Sequence, residues 1–314
     1  MREAAAQREQ GHLGIAANYA CAIRSLSLYL SSVGRDRLPF SLVTARLMLS
    51  YEHWLQQRGV CRNTSSCYLR SLRTIFNRAV RQGCAQGNPF AEVYTGVAKT
   101  RKRAVTMEDI RRIYRLNVRE ALLLHGENPF RKSFARQLRR LELCRDLFIF
   151  CFCARGLTFV DLAYLKKSDV TGSLFTYYRK KTGQFLEVRI EPLMQAIINR
   201  HKAAETVYLF PILTSTDALT AYRQYRSALR TYNQGLHQLS SLLGNGLFLT
   251  SYVSRHTWAT AAYHQDMPLS LISQALGHDS ERTTQIYLKS LESSRIDKAN
   301  HTLLNTIFKK STSA

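Results

Sequence analysis

The chain has 314 residues, 45% of them hydrophobic and 21% charged, enough for two ordinary domains with cores of their own and too apolar for a disordered chain. Its 45 Lys and Arg against 22 Asp and Glu give a formal net charge of +23, which points to a polyanionic partner, DNA or RNA before an anionic membrane. The longest apolar run, Leu147 to Ala154, is too short to cross a bilayer, and the first ten residues hold no apolar signal core. Seven cysteines without a C-x-x-C pair read as reduced packing thiols in a cytoplasmic protein, not as a zinc site.

The first hundred or so residues have the apolar spacing of helices. Thr44 to Gln57 carries Leu47, Tyr51, Trp54 and Leu55 on one face and stops at Gly59. Asn63 and Thr64 offer a cap for a second helix, whose stripe of Leu69, Leu72, Ile75, Phe76, Ala79 and Val80 ends at Gly83. Arg70, Arg73, Arg78 and Arg81 lie in that helix, either as a solvated face or, in a chain of this charge, as phosphate contacts. Asn88-Pro89 breaks the pattern, and residues 94–103 are small and basic, with Lys99, Arg101, Lys102 and Arg103. Thr106-Met-Glu-Asp109 then opens a helix in the manner of a capping box. The organisation expected is a helical domain over 1–94, a basic linker over 95–105 and a second domain over 106–314.

The second domain reads as mainly helical with one antiparallel hairpin. Leu174 to Lys180 and Phe185 to Ile190 are rich in aromatic and β-branched residues, and Leu186, Val188 and Ile190 alternate with Glu187 and Arg189. The turn Lys181-Thr182-Gly183-Gln184 puts Lys181 at the hairpin tip. Helices are expected around 193–202, 217–243, 251–265, 269–277 and 280–290, followed by an amphipathic tail from about 291 with Ile296, Leu303, Leu304, Ile307 and Phe308.

Two segments stand out for their chemistry: Tyr252-Val-Ser-Arg255-His256-Thr-Trp-Ala-Thr260, and Leu276-Gly277-His278 followed nine residues after the His by Tyr287. Breaking a phosphodiester without a metal needs a nucleophile, cationic donors on the non-bridging oxygens and an acid for the leaving oxygen. Tyr, Arg and Lys or His supply these roles. Taken singly, Arg255 reads equally as an ion pair, His278 as a helix cap and Tyr287 as a half-buried aromatic.

Together the two segments resemble the tyrosine recombinase (phage integrase) family, with its R-H-x-x-A-T element, its L-G-H and its Tyr nine residues on. The resemblance extends to Ala154 to Leu165 and to Lys181-Thr182-Gly183, and so runs through residues 106–290, while the N-terminal part matches in style only. It implies a helical, SAM-like core-site DNA-binding domain and a mixed α+β catalytic domain with a small antiparallel sheet, the DNA-breaking-rejoining fold, closing as a C-shaped clamp around duplex DNA. It implies that Tyr287 attacks the scissile phosphate to form a 3′-phosphotyrosine, that Arg255 and His278 bind the phosphate oxygens, that Lys181 protonates the leaving 5′-oxygen and that His256 frames the site. It implies double-stranded DNA with paired inverted-repeat core sites, a monomer that becomes a homotetramer on DNA, and a Holliday junction. No metal, ATP or other cofactor is implied, accessory DNA-bending proteins are, and the place of action is the nucleoid. The tail either docks on a neighbouring protomer or packs on its own domain.

Two departures mark the chain. Thr158 stands where the family has its first Arg, directly after Gly-Leu, and Arg155 lies three residues earlier, about one helical turn, from where it is expected to reach the same phosphate. Asp161 either orients Arg155 or completes a Thr158-x-x-Asp161 cap. Tyr252 stands where the family has His or Lys, and its phenol still hydrogen-bonds a phosphate oxygen. Both departures are similar to those in recombinases of Bacteroidetes mobile elements and invertible DNA segments. The chain opens on the core-binding helices with no arm-site domain ahead, which favours a simple invertase or Xer-like enzyme. The competing expectations are a catalytically weak DNA-binding regulator with this fold and a type IB topoisomerase-like activity.

Overall fold

Apolar positions at helical spacing build a main core within each of two units, Met1–Arg101 and Lys102–Ala314, and the second unit adds smaller clusters around Ile272 and Tyr208. The computed structural model describes residues 2–98, 103–201 and 205–288, with 286–288 described by backbone alone.

Four helices build the first unit: α1 (Arg2–Glu9), α2 (Leu13–Ser32), α3 (Ala45–Gln57) and α4 (Arg62–Arg81). Thr44 caps α3 by accepting from the Leu47 amide at 3.2 Å. Met48, Tyr51 and Leu55 of α3 meet Leu69, Leu72 and Phe76 of α4 and Tyr29 and Leu30 of α2. The start of α4 differs from the sequence expectation: Cys61 occupies the N-cap without a side-chain bond, so Asn63 already lies inside the helix. Its amide group is used elsewhere. Asn63 donates to the Ala98 carbonyl at 3.0 Å and accepts from the Ala98 amide at 2.8 Å. Ser66 donates to the Gly96 carbonyl at 2.5 Å, and Arg73 to Thr95 Oγ1 at 2.9 Å. Residues 95–98, the first part of the stretch read as a linker, therefore lie bound along α4.

The second unit opens with α5 (Met107–Arg115), closed by the reciprocal Thr106–Asp109 capping box, and α6 (Val118–Leu124). The central element is α7 (Phe134–Cys153). Its last two turns are apolar all round, so Leu147, Phe148, Ile149, Phe150 and Cys151 are buried on every side. Short α8 (Phe159–Tyr164) follows, then β1 (Val170–Thr171), β2 (Leu174–Tyr178) and β3 (Phe185–Arg189). These form an antiparallel sheet in the order β1-β2-β3, with Phe175 opposite Val188. Both side chains are buried, and the Phe175 ring stacks 6.1 Å from Phe150. β1 extends the expected hairpin by a third strand. The strands also end earlier than the residue types suggest, because the chain turns at Arg179, whose carbonyl accepts from the Gly183 amide at 2.8 Å. Helices α9 (Pro192–His201), α10 (Ala218–Leu243), α11 (Val253–His264), α12 (Leu269–Leu276) and α13 (Glu281–Leu288) complete the unit. Among the described residues no helix is long and apolar enough to cross a membrane.

Candidate active site

Arg255, in the first turn of α11, is 2% exposed and joins three segments. Nη1 donates to the Gly156 carbonyl at 2.8 Å, and Nη2 to the Leu276 carbonyl at 2.5 Å. Nη2 also lies 3.1 Å from His278 Nε2. The approach to Gly156 is close enough to require that residue: φ is +72°, and a Cβ there would meet Arg255 Cα at 2.9 Å. The Leu276 carbonyl is one that a helix end leaves without an internal partner, and the guanidinium satisfies it.

Gly277 caps α12 in the left-handed conformation and turns the chain so that His278 points back toward Arg255. The hairpin tip grips this turn. Arg179 Nη1 and Thr182 Oγ1 (3.2 Å) both donate to the Gly277 carbonyl, and Gln184 Nε2 donates to the His278 carbonyl at 3.2 Å. A Cβ on Gly277 would meet Leu186 Cδ1 at 2.9 Å. Arg179 is 4% exposed, and among the described residues its Nε has no hydrogen-bond partner.

His278 is buried, and its ring is held at both nitrogens. A guanidinium only donates, so Nε2 accepts from Arg255, and the proton of the neutral ring sits on Nδ1, which donates to Thr284 Oγ1 at 2.8 Å. Burial first, then the charges of Arg255, Arg179 and Lys181, hold the imidazole down to about 3. His278 lines an open groove of about 400 Å³ with Gln184, Phe185, Ser273 and Glu281.

The other predicted site residues fall around this centre. Thr158 is the N-cap of α8; its hydroxyl donates to Asp161 Oδ2 at 2.6 Å, while Asp161 Oδ1 accepts from the Lys180 amide at 2.8 Å. Asp161 thus completes the cap and anchors the hairpin through Thr158 and the Lys180 amide. Arg155 sits past the end of α7 in a left-handed turn, at φ 56°, so the stretch 155–158 is not the helical turn that the spacing suggested. Its side chain is exposed, and Nη1 donates to the Glu187 carbonyl at 3.2 Å. Lys181 is exposed at the hairpin tip, and Lys180 rests its ammonium 4.5 Å from the Tyr164 ring. Tyr252 is 44% exposed, its ring 5.9 Å from that of partly buried His256. Burial, then the Asp161 carboxylate, pushes the Tyr177 phenol up, against the charges of Arg255 and Arg179 beside it. The Tyr287 backbone belongs to α13, and its side chain lies outside the described residues.

Arg179 is the residue that motif reading missed. The signal was present in the strand alternation: Phe175, Tyr177 and Arg179 share one face of the hairpin, so a charged residue there is carried inward. Of the residues read as DNA contacts, Arg70 and Arg73 are partly buried on α4, Arg81 is exposed at its end, and exposed Arg103 places its guanidinium 4.5 Å from the Phe248 ring. Lys99, Arg101 and Lys102 lie outside the described residues, as does the tail from about 291. Among the described residues no group of three His, Cys, Asp or Glu side chains is placed to hold a metal ion.

Two family models match the chain: the phage integrase SAM-like domain over residues 1–99 and the phage integrase family over residues 155–294. The chain belongs to the phage integrase, or tyrosine recombinase, family and is an enzyme of site-specific DNA recombination. It is 24% identical over 250 residues to tyrosine recombinase XerC of Oceanobacillus iheyensis, covering 76% of this chain and 72% of that one. The fold is that of a lambda integrase dimer bound to a COC′ core site, at 17% identity and a TM-score of 0.58, over 86% of this chain and 89% of that one. A lambda integrase tetramer bound to a Holliday junction is similar at 17% identity and a TM-score of 0.56, over 86% and 72% of the two chains.

Proposed function

We propose that this enzyme cleaves and rejoins double-stranded DNA through a covalent bond from Tyr287 to a 3′-phosphate. The observation that carries the reading is the buried Arg255 guanidinium, hydrogen-bonded to His278 and set beside the short helix that bears Tyr287. In this reading Arg255 binds the non-bridging oxygens, His278 joins it through Nε2 once the negative charge of the phosphate brings a second proton onto the ring, with Nδ1–H still held by Thr284, and Lys181, exposed on the hairpin tip, protonates the leaving 5′-oxygen. Tyr252 adds a phenol hydrogen bond and His256 frames the site.

The second cation on the phosphate has two candidates. Arg155 is exposed and bonded to a strand carbonyl, whereas Arg179 is buried beside His278 with Nε uncommitted. A desolvated guanidinium acts far more strongly on developing charge than a solvated one, which favours Arg179. Asp161 then serves the hairpin, fixing the backbone of Lys180 next to Lys181.

The substrate proposed is a pair of inverted-repeat core sites, bound through residues 1–94 and the basic linker 95–105 and cut by residues 106–314, with four protomers on two sites and a Holliday junction between the two strand exchanges. Arg70, Arg73, Arg81 and Arg103, with Lys99, Arg101 and Lys102, supply phosphate contacts. The tail from about 291 docks on a neighbour, and accessory proteins bend the DNA. Thr158 and Tyr252 support a reading of the enzyme as one of the Bacteroidetes-type branch, acting at the nucleoid, with site orientation deciding between inversion, excision and integration.

The test is a nicked duplex carrying the inverted repeats that flank the coding sequence, incubated in EDTA with wild type and Tyr287→Phe and resolved on a denaturing gel. A covalent adduct in wild type, lost in Tyr287→Phe, is expected. A duplex that is bound but never trapped would make the protein a regulator with the recombinase fold. Relaxation of supercoils without exchange between two sites would make it a topoisomerase-like enzyme.

A further inference from the structure

We infer that Thr284 is a positioning residue whose hydroxyl holds His278 in the Nδ1–H tautomer and fixes the rotation of the helix that carries Tyr287. The inference rests on the reading of Tyr287 as the nucleophile.

Of the α13 side chains described, Glu281, Arg282 and Gln285 are exposed, Thr283 is partly exposed, and Thr284 is fully buried. A position that only packs is filled best by an apolar residue. Here a hydroxyl is buried, and it lies 2.8 Å from His278 Nδ1. The opposite side of the imidazole faces Arg255 Nη2 at 3.1 Å. Because that guanidinium only donates, the ring needs an acceptor at Nδ1, and the hydroxyl is that acceptor. It remains one when the ring is doubly protonated, so the tie to α13 survives a change in His278 charge.

The same bond acts on the helix. An eight-residue helix has little stability of its own and takes its orientation from tertiary contacts. Positions 284 and 287 are three residues apart, neighbours on the helix surface. Fixing the side chain at 284 therefore fixes the direction in which position 287 presents its Cα–Cβ bond, relative to the His278 and Arg255 pair.

The experiment uses the full chain in wild type, Thr284→Val, Thr284→Ser and Thr283→Val. Single-turnover cleavage of the nicked duplex and its binding are measured, with the tautomer of His278 read from long-range ¹H–¹⁵N spectra of the histidine rings. Thr284→Val keeps the shape and removes the acceptor; a loss of about 10- to 100-fold in cleavage is expected, the size seen when the outer partner of a functional histidine is removed. DNA affinity of Thr284→Val should stay within about twofold, since the buried hydroxyl faces His278, Thr284→Ser should recover most of the rate because it keeps that hydroxyl, and Thr283→Val should behave as wild type because the bond it loses is to Ser280. The wild-type spectrum should show the proton on Nδ1 and Thr284→Val a mixture. Cleavage by Thr284→Val at the wild-type rate, or a wild-type proton on Nε2, would overturn the inference. Should Thr284→Val not fold, failure of Thr284→Ser to cleave, or the wrong wild-type tautomer, would do the same. Absence of any adduct with wild type sinks the Tyr287 reading instead, and the tautomer still decides the tie between Thr284 and His278.

Discussion

Arg255 Nη2 and His278 Nε2 lie 3.1 Å apart, and the contact makes the guanidinium the donor and the imidazole the acceptor. Both groups are buried, and the same guanidinium satisfies the carbonyls of Gly156 and Leu276. On the proposed function the site is thereby assembled ahead of the phosphate, since one guanidinium joins the turn after α7, the start of α11 and the turn after α12. Preorganised donors of this kind need little rearrangement when charge develops.

Arg179 and Arg155 separate in a paired alanine experiment. Arg179→Ala should slow cleavage of the nicked duplex by about 100- to 1000-fold, the cost of removing one buried donor from a charged transition state. Arg155→Ala should cost less than about tenfold, in keeping with loss of one exposed hydrogen bond. The reverse order would return the second guanidinium to Arg155.

Gly156→Ala tests the close approach to Arg255. The new methyl would lie 2.9 Å from Arg255 Cα at a backbone φ of +72°, so both sterics and conformation oppose it. A stability loss of about 1–3 kcal/mol in urea denaturation is expected, with cleavage falling further than stability alone requires. Gly277→Ala should behave alike through Leu186 and Arg179.

His278 gives the fold a pH dependence of known sign. Unfolded, the ring takes up its proton near 6.5; folded, it does so only near 3. Between these values the unfolded chain binds the extra proton, so the contribution of His278 to stability declines as pH falls through that window, by at most about 1.4 kcal/mol per pH unit. Unfolding free energies at pH 7.5 and pH 5 should fall more steeply in wild type than in His278→Gln. Equal slopes would show that His278 is not held neutral.

Asp161→Ala leaves the Thr158 hydroxyl and the Lys180 amide without their acceptor. A destabilisation of about 1–3 kcal/mol follows from leaving such groups unpaired. Because Lys181 follows Lys180, cleavage should slow while DNA affinity holds. Substrates with a leaving group that needs no proton, such as a 5′-bridging thiolate, should recover much of that loss.

The sequence by itself determined what is local: the Thr106 capping box, the hairpin on either side of residues 181–184, the helices at 217–243 and 269–277, and the two motifs with their nine-residue step to Tyr287. These features depend on neighbours a few residues away, so residue type and spacing suffice to read them. Tertiary structure decided what is not local. Arg255 meets Gly156 across 99 positions and Arg179 meets Gly277 across 98, and no periodicity reports which distant carbonyl a guanidinium will find. The helical spacing of Arg155 and Thr158 failed for the same reason, since α7 ends at Cys153 and the chain turns at Arg155 and Gly156, which brings the Gly156 carbonyl to Arg255. The Thr283-Thr284 pair looks symmetrical in the sequence; only the packing of α13 shows that the second hydroxyl is the one on His278. Desolvation is a property of the assembled core, and it turns an ordinary arginine, histidine and threonine into a site.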